Sequence, residues 1–209
     1  MESITSLVNR YPSLSACQKS IETAAEYIIS AYKNGSVLFT AGNGGSAADA
    51  DHIVGELMKG FMKRRALDEK EINEMASSLS DGERLARSLQ KGLPAISLHS
   101  QSALLTAFMN DAEPEYVYAQ VLYAMGKKDD VLIAISTSGN SKNIVNAVKV
   151  ARHKGMKIIS LTGERRCALD SLSDVVIHVQ ETETYRVQEL HLPVYHWICA
   201  RIEDEFFDE

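Results

Sequence analysis

His52 and Glu56 stand four residues apart, a spacing that puts an imidazole and a carboxylate on one face of a helix. Towards the other end of the chain Gln188, Glu189, His191 and His196 make a second polar group. Gln188 and His196 are separated by about 80° of helix rotation, so they share a broad face. Two imidazoles, a carboxylate and a carboxamide form a mixed nitrogen and oxygen donor set that zinc or another divalent metal accepts. The same groups serve as acid and base without a metal. A His–Glu pair at this spacing is more often only a surface pair. The residues by themselves leave all three readings open.

Two further segments share one design. Val37-Leu-Phe-Thr-Ala-Gly-Asn-Gly-Gly-Ser46 and Val131-Leu-Ile-Ala-Ile-Ser-Thr-Ser-Gly-Asn-Ser141 each run from an apolar stretch into a loop of small residues that opens a helix. Helix N-termini present unpaired N–H groups and a partial positive charge, which suit an anion. The second loop is the better phosphate candidate. Ser136, Thr137, Ser138 and Ser141 offer hydroxyls, and Gly139 permits close backbone approach. The bland alternative is a hydroxyl-rich turn that merely caps its helix. The Asn43-Gly44-Gly45 turn is the weaker signal alone, since glycine turns follow many strands.

These groups need a frame to hold them. Apolar positions at helical spacing run over 13–33 and stop at Asn34-Gly35, a helix-end signal. Short apolar strands are expected at 36–41, 94–98, 130–135, 156–161 and 174–179. Helices are expected at 46–59, with Ser46 as its cap, at 143–154 before Gly155, and at 184–206. Strands of this kind alternating with helices imply an α/β fold: a doubly wound, five-stranded parallel sheet flanked by helices, with long helices at both ends. In such sheets ligands bind beyond the carboxyl ends of the strands. The stretch 61–92 breaks the rhythm. It is charged and helix-prone, and reads as a solvated helical insertion in a single domain spanning 1–209, or as a lid or subunit contact. His99 and His178 read as structural, and Tyr195 and Trp197, beside His196, as packing residues.

Composition narrows the function class. The 209 residues are 45% hydrophobic and 24% charged, ordinary for a domain with a real core. The net charge of −6 disfavours sequence-independent nucleic-acid binding, and requires local dipoles to hold any phosphate ester. No apolar run approaches a membrane span, and the first residues lack a signal-peptide pattern. Cys17, Cys167 and Cys199 are odd in number and widely spaced, which suits buried thiols in a reducing cytoplasm.

Gly42-Asn-Gly-Gly-Ser46, His52, Glu56, Ser136-Thr-Ser-Gly-Asn-Ser141, Gln188-Glu-Leu-His191 and His196 together resemble the bacterial phosphoheptose isomerases of the sugar-isomerase (SIS) domain family. The likeness covers nearly the whole chain outside 61–92. The two loops mark the broad family, and His52, Glu56, Gln188 and His196 mark this branch. The resemblance implies an aldose–ketose isomerase that converts sedoheptulose 7-phosphate to glycero-manno-heptose 7-phosphate through an enediol(ate). It implies that Glu56 is the base between C1 and C2, with His196 as partner acid–base at the oxygens. Ser136, Thr137, Ser138 and Ser141 would hold the phosphate, and Asn43, Gly44, Gly45, Asn110, Asp111, Glu56 and Gln188 would contact the sugar. His52, Glu56, Gln188 and His196 would hold zinc, although tight ligation makes Glu56 a poorer base. A homotetramer with active sites between subunits is also implied. Two features depart from the family: the long stretch after Glu56, and Tyr185 where an acidic residue is expected three before Gln188. They keep another phosphosugar isomerase, or a non-catalytic SIS regulator that binds a phosphosugar or a protein, as alternatives.

Overall fold

The computed structural model of the chain describes residues 2–208. It opens with α1 (Ile4–Arg10), a 3-10 turn over Pro12–Cys17, and α2 (Gln18–Lys33). β1 (Leu38–Ala41) and α3 (Gly45–Met58) follow, then α4 (Glu69–Ser78), α5 (Gly82–Ala86) and β2 (Ala95–Ser97). Next come α6 (Ser102–Asp111), α7 (Val117–Met125), β3 (Val131–Ile135) and α8 (Lys142–His153). β4 (Lys157–Thr162), β5 (Val175–His178) and α9 (Thr184–Phe206) complete the chain.

All five strands are parallel, in the order β2-β1-β3-β4-β5. The doubly wound sheet expected from the sequence is therefore present, and each strand falls inside its expected range except β4, which runs one residue further, to Thr162. Strands this short and apolar are buried on both faces, which is why they read as unbroken runs. Ile133 and Ile135 of β3 point into one core with α2, α3 and α9, while Leu132 and Ala134 point into the other with α7 and α8. The strand order reverses between β1 and β3, so the loops leaving these two strands diverge and open a crevice.

Three local expectations are corrected. The helix predicted over 13–33 starts as a 3-10 turn at Pro12 and becomes α-helical only at Gln18. A proline opens such a turn readily because its missing N–H is one the first turn does not use. α1 carries only one buried residue, Leu7, too thin a pattern to announce itself in the sequence. Ser46 lies inside α3, whose first turn is entered through Gly44 at a positive φ of 55°. A glycine adopts that backbone without the penalty of a Cβ.

The stretch 61–92 is helical as expected, and α4 begins with a capping box formed by Asp68 and Glu71. It is fastened to the body rather than loose. Arg65, with its side chain fully buried, donates from Nε to Glu203 Oε1 on α9 at 2.8 Å. It also donates to the carbonyls of Leu57 and Glu56 at the end of α3. Glu203 accepts the backbone N–H groups of Phe61 and Met62. No helix among the described residues is long and apolar enough to cross a membrane.

Candidate active site at the sheet crevice

The two small-residue loops meet where the topology predicts. Asn43, after β1, and Asn143, in the first turn of α8, exchange amide hydrogen bonds of 2.9 and 2.8 Å. This double bond clamps the loops together across the switch point. Gly42 is fixed by packing, because a Cβ there would lie 2.1 Å from the Ser46 carbonyl oxygen. Its own carbonyl accepts the buried Tyr118 hydroxyl at 3.0 Å.

In the second loop Ser136 is buried and its hydroxyl donates to Ser141 Oγ at 3.1 Å. Thr137 and Ser138 instead line a cavity of about 200 Å³, with Gly163, Arg165 and Arg166 among the other walls. Ser141 gives α8 no side-chain cap. The Ile144 N–H is taken by Asn143 Oδ1 at 3.0 Å, which leaves the N–H groups of Lys142 and Asn143 at the start of the helix for other acceptors. Gly139 has a positive φ of 63°, and a Cβ there would lie 2.1 Å from Cys167 Sγ. The glycine is thus required by a neighbouring side chain as well as by the turn. Arg165 and Arg166 carried no signal in the sequence, since they lie 24 positions or more beyond the loop they face.

His52 and Glu56 share a face of α3 as their spacing predicts, with Nε2 and Oε1 3.0 Å apart. α9 lies against that face. The His196 ring stands edge-on to His52 with centroids 4.9 Å apart, and packs on Phe61 at 5.6 Å. Glu56 is largely withdrawn from water, its side chain 12% exposed, and Lys59 Nζ lies 3.7 Å from Oε2. Glu56 Oε2 and His196 Nε2 are both buried without a hydrogen-bond partner. Burial first, and the neighbouring His52 second, push the His196 imidazole below its ordinary pKa, against a smaller opposing pull from Glu56. His196 is therefore neutral at physiological pH.

Tyr195 corrects the sequence reading. Its ring packs as expected, but its hydroxyl lies 3.0 Å from His52 Nδ1 and donates to Asp49 Oδ1 at 3.2 Å. Asp49 was missed although it sits on the turn preceding His52, the position from which a side chain reaches the same face. Burial raises the Asp49 pKa, while the Tyr195 hydrogen bond and nearby His52 pull it down.

Other expected residues are placed differently. Gln188 wraps Gly45, where a Cβ would come within 2.7 Å of its Nε2, and it donates to Ser46 Oγ at 3.5 Å. Among the described residues no three His, Cys, Asp or Glu side chains converge on a common metal position. The four expected zinc ligands are therefore neighbours in part and not an assembled set. Asn110 and Asp111 end α6, exposed, with the Asn110 amide donating to Asp111 Oδ1 at 2.7 Å. Their side chains are turned to each other rather than into the crevice. Beside the Asn43–Asn143 clamp a larger cavity of about 420 Å³ is lined by Leu105, Met109, Tyr118 and Lys142.

A parallel sheet with a Ser/Thr loop and a polar helix pair at its switch point defines a sugar-isomerase domain, and the SIS domain family pattern matches residues 2–88 and 83–163. The two matches overlap inside the long segment after Glu56. The chain is 39% identical over 187 residues to phosphoheptose isomerase 2 of Campylobacter jejuni, covering 90% of this chain and 81% of that one. The structure of a phosphoheptose isomerase from Francisella tularensis superposes with a TM-score of 0.74 at 28% identity, over 98% of this chain and 100% of that one. The Neisseria gonorrhoeae phosphoheptose isomerase gives 0.69 at 30% identity, over 88% and 86%. The chain belongs to the phosphoheptose isomerase family of SIS-domain proteins.

Proposed function

We propose that this chain is a sugar-phosphate isomerase that interconverts sedoheptulose 7-phosphate and glycero-manno-heptose 7-phosphate. The observation that carries the reading is a largely buried carboxylate, Glu56, with a partnerless oxygen, in the domain whose switch-point loops suit a phosphate. Thr137 and Ser138 donate to the phosphate from the cavity wall, aided by the N-terminus of α8. Ser136 and Ser141 shape the loop floor and reach the phosphate by exchanging their mutual bond. Asn43, Gly44, Gly45 and Gln188 border the sugar.

Glu56 Oε2 has no donor to occupy it, so a lone pair is free to take the C1 proton of the ketose and return it to C2. Neutral His196, with an unpartnered Nε2, moves the proton between the two oxygens. The donor types of His52, Glu56, Gln188 and His196 are ones a divalent cation accepts, but among the described residues the His and Glu side chains do not converge on one ion position. Glu56 Oε1 meets His52, and Oε2 remains for the proton.

The same reading includes a homotetramer with active sites between subunits. Exposed Met58, Met62, Leu79, Leu85 and Leu89 are candidates for burial between subunits, as is α6, which has no fully buried residue despite Leu104, Leu105 and Phe108. Light scattering on the purified protein measures that mass directly. Free Cys17, Cys167 and Cys199 suit a reducing cytoplasm.

Proton NMR of zinc-supplied protein with sedoheptulose 7-phosphate in D2O tests the function. The expected product is an aldose 7-phosphate carrying deuterium at C2. Turnover of a hexulose 6-phosphate in its place would assign a different sugar. Turnover of neither, beside an active control enzyme, would leave a binding protein.

A further inference from the structure

The Ser/Thr loop supplies hydroxyls and a helix dipole but no formal charge, whereas a phosphate monoester carries close to two negative charges at neutral pH. Full positive charge stands on the segment that follows β4. Arg165 and Arg166 are exposed and line the cavity of about 200 Å³ that Thr137 and Ser138 also line. Among the described residues neither guanidinium forms an ion pair. Two carboxylates share the cavity wall, Glu164 and Glu181, and Glu181 is met by Arg186 at 4.0 Å. A guanidinium stays charged and offers a planar fork of N–H donors that matches phosphate oxygens. Two such cations on adjacent residues, with no carboxylate bound to either, favour an anion in the cavity they share.

The segment is mounted on the loop at both of its ends. The Gly163 N–H donates to the Thr137 carbonyl at 3.0 Å, and the Ala168 N–H donates to Asn140 Oδ1 at 2.9 Å. Between these anchors Cys167 Sγ fills the space beside Gly139, where a Cβ would come within 2.1 Å. Each arginine is therefore two residues from a point fixed on the loop. Asn140 also orients Ser138. Its backbone N–H donates to Ser138 Oγ at 3.2 Å, and its side-chain amide donates to the Ser138 carbonyl at 2.8 Å. With that lone pair filled, the Ser138 hydroxyl keeps its hydrogen for a ligand. We propose that Arg165 and Arg166 form the charged half of the phosphate site and set its preference for a dianionic phosphate over a neutral sugar. The inference rests on the sugar-phosphate reading above, and deepens it by placing that discrimination on two residues outside the Ser/Thr loop. The attraction is local, as a chain of net charge −6 requires.

Calorimetric titration of the full chain with sedoheptulose 7-phosphate, and separately with inorganic phosphate, tests this over a range of sodium chloride concentrations. The proteins compared are the wild type, Arg165→Gln, Arg166→Gln and the double variant. The wild type binds both ligands, and more weakly as salt rises. Each single variant is expected to bind about 10-fold more weakly, and the double variant more weakly again with a flattened salt dependence. A merely structural role would not move the salt dependence, and because both side chains are exposed the thermal midpoint without ligand stays at the wild-type value. Arg166→Lys retains the salt dependence but not the full affinity, since it keeps the charge without the fork. Unchanged affinity and salt dependence in the double variant, beside a wild type that binds sedoheptulose 7-phosphate, overturns the inference and leaves the substrate reading standing. A wild type that binds phosphate but not the heptulose phosphate, with phosphate binding lost in the double variant, upholds the arginines and overturns the heptose substrate. A wild type that binds neither overturns both.

Discussion

Glu56 is the base of the proposed reaction, a role that needs a carboxylate and not merely a polar group. Its Oε1 meets His52, and its buried Oε2 meets no donor. Glu56→Gln preserves shape but removes the basic lone pair, so kcat is expected to fall at least about 100-fold while phosphosugar binding persists. Deuterium incorporation and ligand-induced thermal shift separate the two effects, and undiminished exchange would remove Glu56 from the role of base. His191, five residues before His196, has a different duty. It is fully buried with Nε2 3.4 Å from the Thr162 carbonyl, and burial lowers its pKa from 6.5 to about 4. The fold therefore holds it neutral, and its contribution is present in full above pH 6.5. Between pH 6.5 and about 4 the unfolded chain binds the proton that the folded chain refuses, so stability falls with pH by up to about 3 kcal/mol. Urea unfolding across that window measures the slope, which flattens in His191→Gln.

At the scale of elements, α3 and α9 carry the groups proposed to react, and the segment after α3 locks the pair. Arg65 holds a positive φ of 49°, which is uncommon for a residue with a Cβ. It keeps that backbone while its guanidinium ties Glu203 to the last carbonyls of α3 and lies over the Phe207 ring. Removing one partner strands the other charge in the interior. Glu203→Gln or Arg65→Met is expected to destabilise the protein by about 3–5 kcal/mol, read by chemical denaturation. The double replacement of both by Met restores much of that loss, because two buried charges then leave together. A cost below about 1 kcal/mol for the single variants would show that the tie between α3 and α9 is redundant.

For the whole molecule the central strand sets the cooperativity. Leu132 and Ile133 are adjacent in β3 but belong to opposite cores of the sheet. Truncation of either to Ala is expected to cost about 2–5 kcal/mol through lost burial and a residual cavity. Both changes should move one shared unfolding transition, since each core is built on the same strand. Trp197 fluorescence reports the first core and far-ultraviolet circular dichroism the sheet and helices. Transitions that separate in Leu132→Ala would show that the two faces unfold independently. The overall charge of −6 acts at this scale as well. It repels a phosphate ester, so the Ser/Thr loop, the α8 N-terminus and the arginines lining the cavity must supply the attraction locally.

The sequence determined the sheet, because β1, β3 and β4 are short apolar runs bounded by turn residues, and burial on both faces leaves no other reading of them. It also determined that His52 and Glu56 share a face, since a helix fixes the direction of residues four apart. Local periodicity reaches no further than one element. That α9 brings His196 to His52, that Tyr195 and Asp49 stand behind that histidine, and that Arg65 meets Glu203 are matters of packing between distant segments. Gln188 shows the limit from the other side: its helical angle to His196 was readable, but its partner at Gly45 was set by where α9 rests on the first loop. Asn110 and Asp111 turn to each other at the exposed end of α6, whose Leu104, Leu105 and Phe108 pack only on the margin of the second core, a placement decided by tertiary packing and by nothing in their own types.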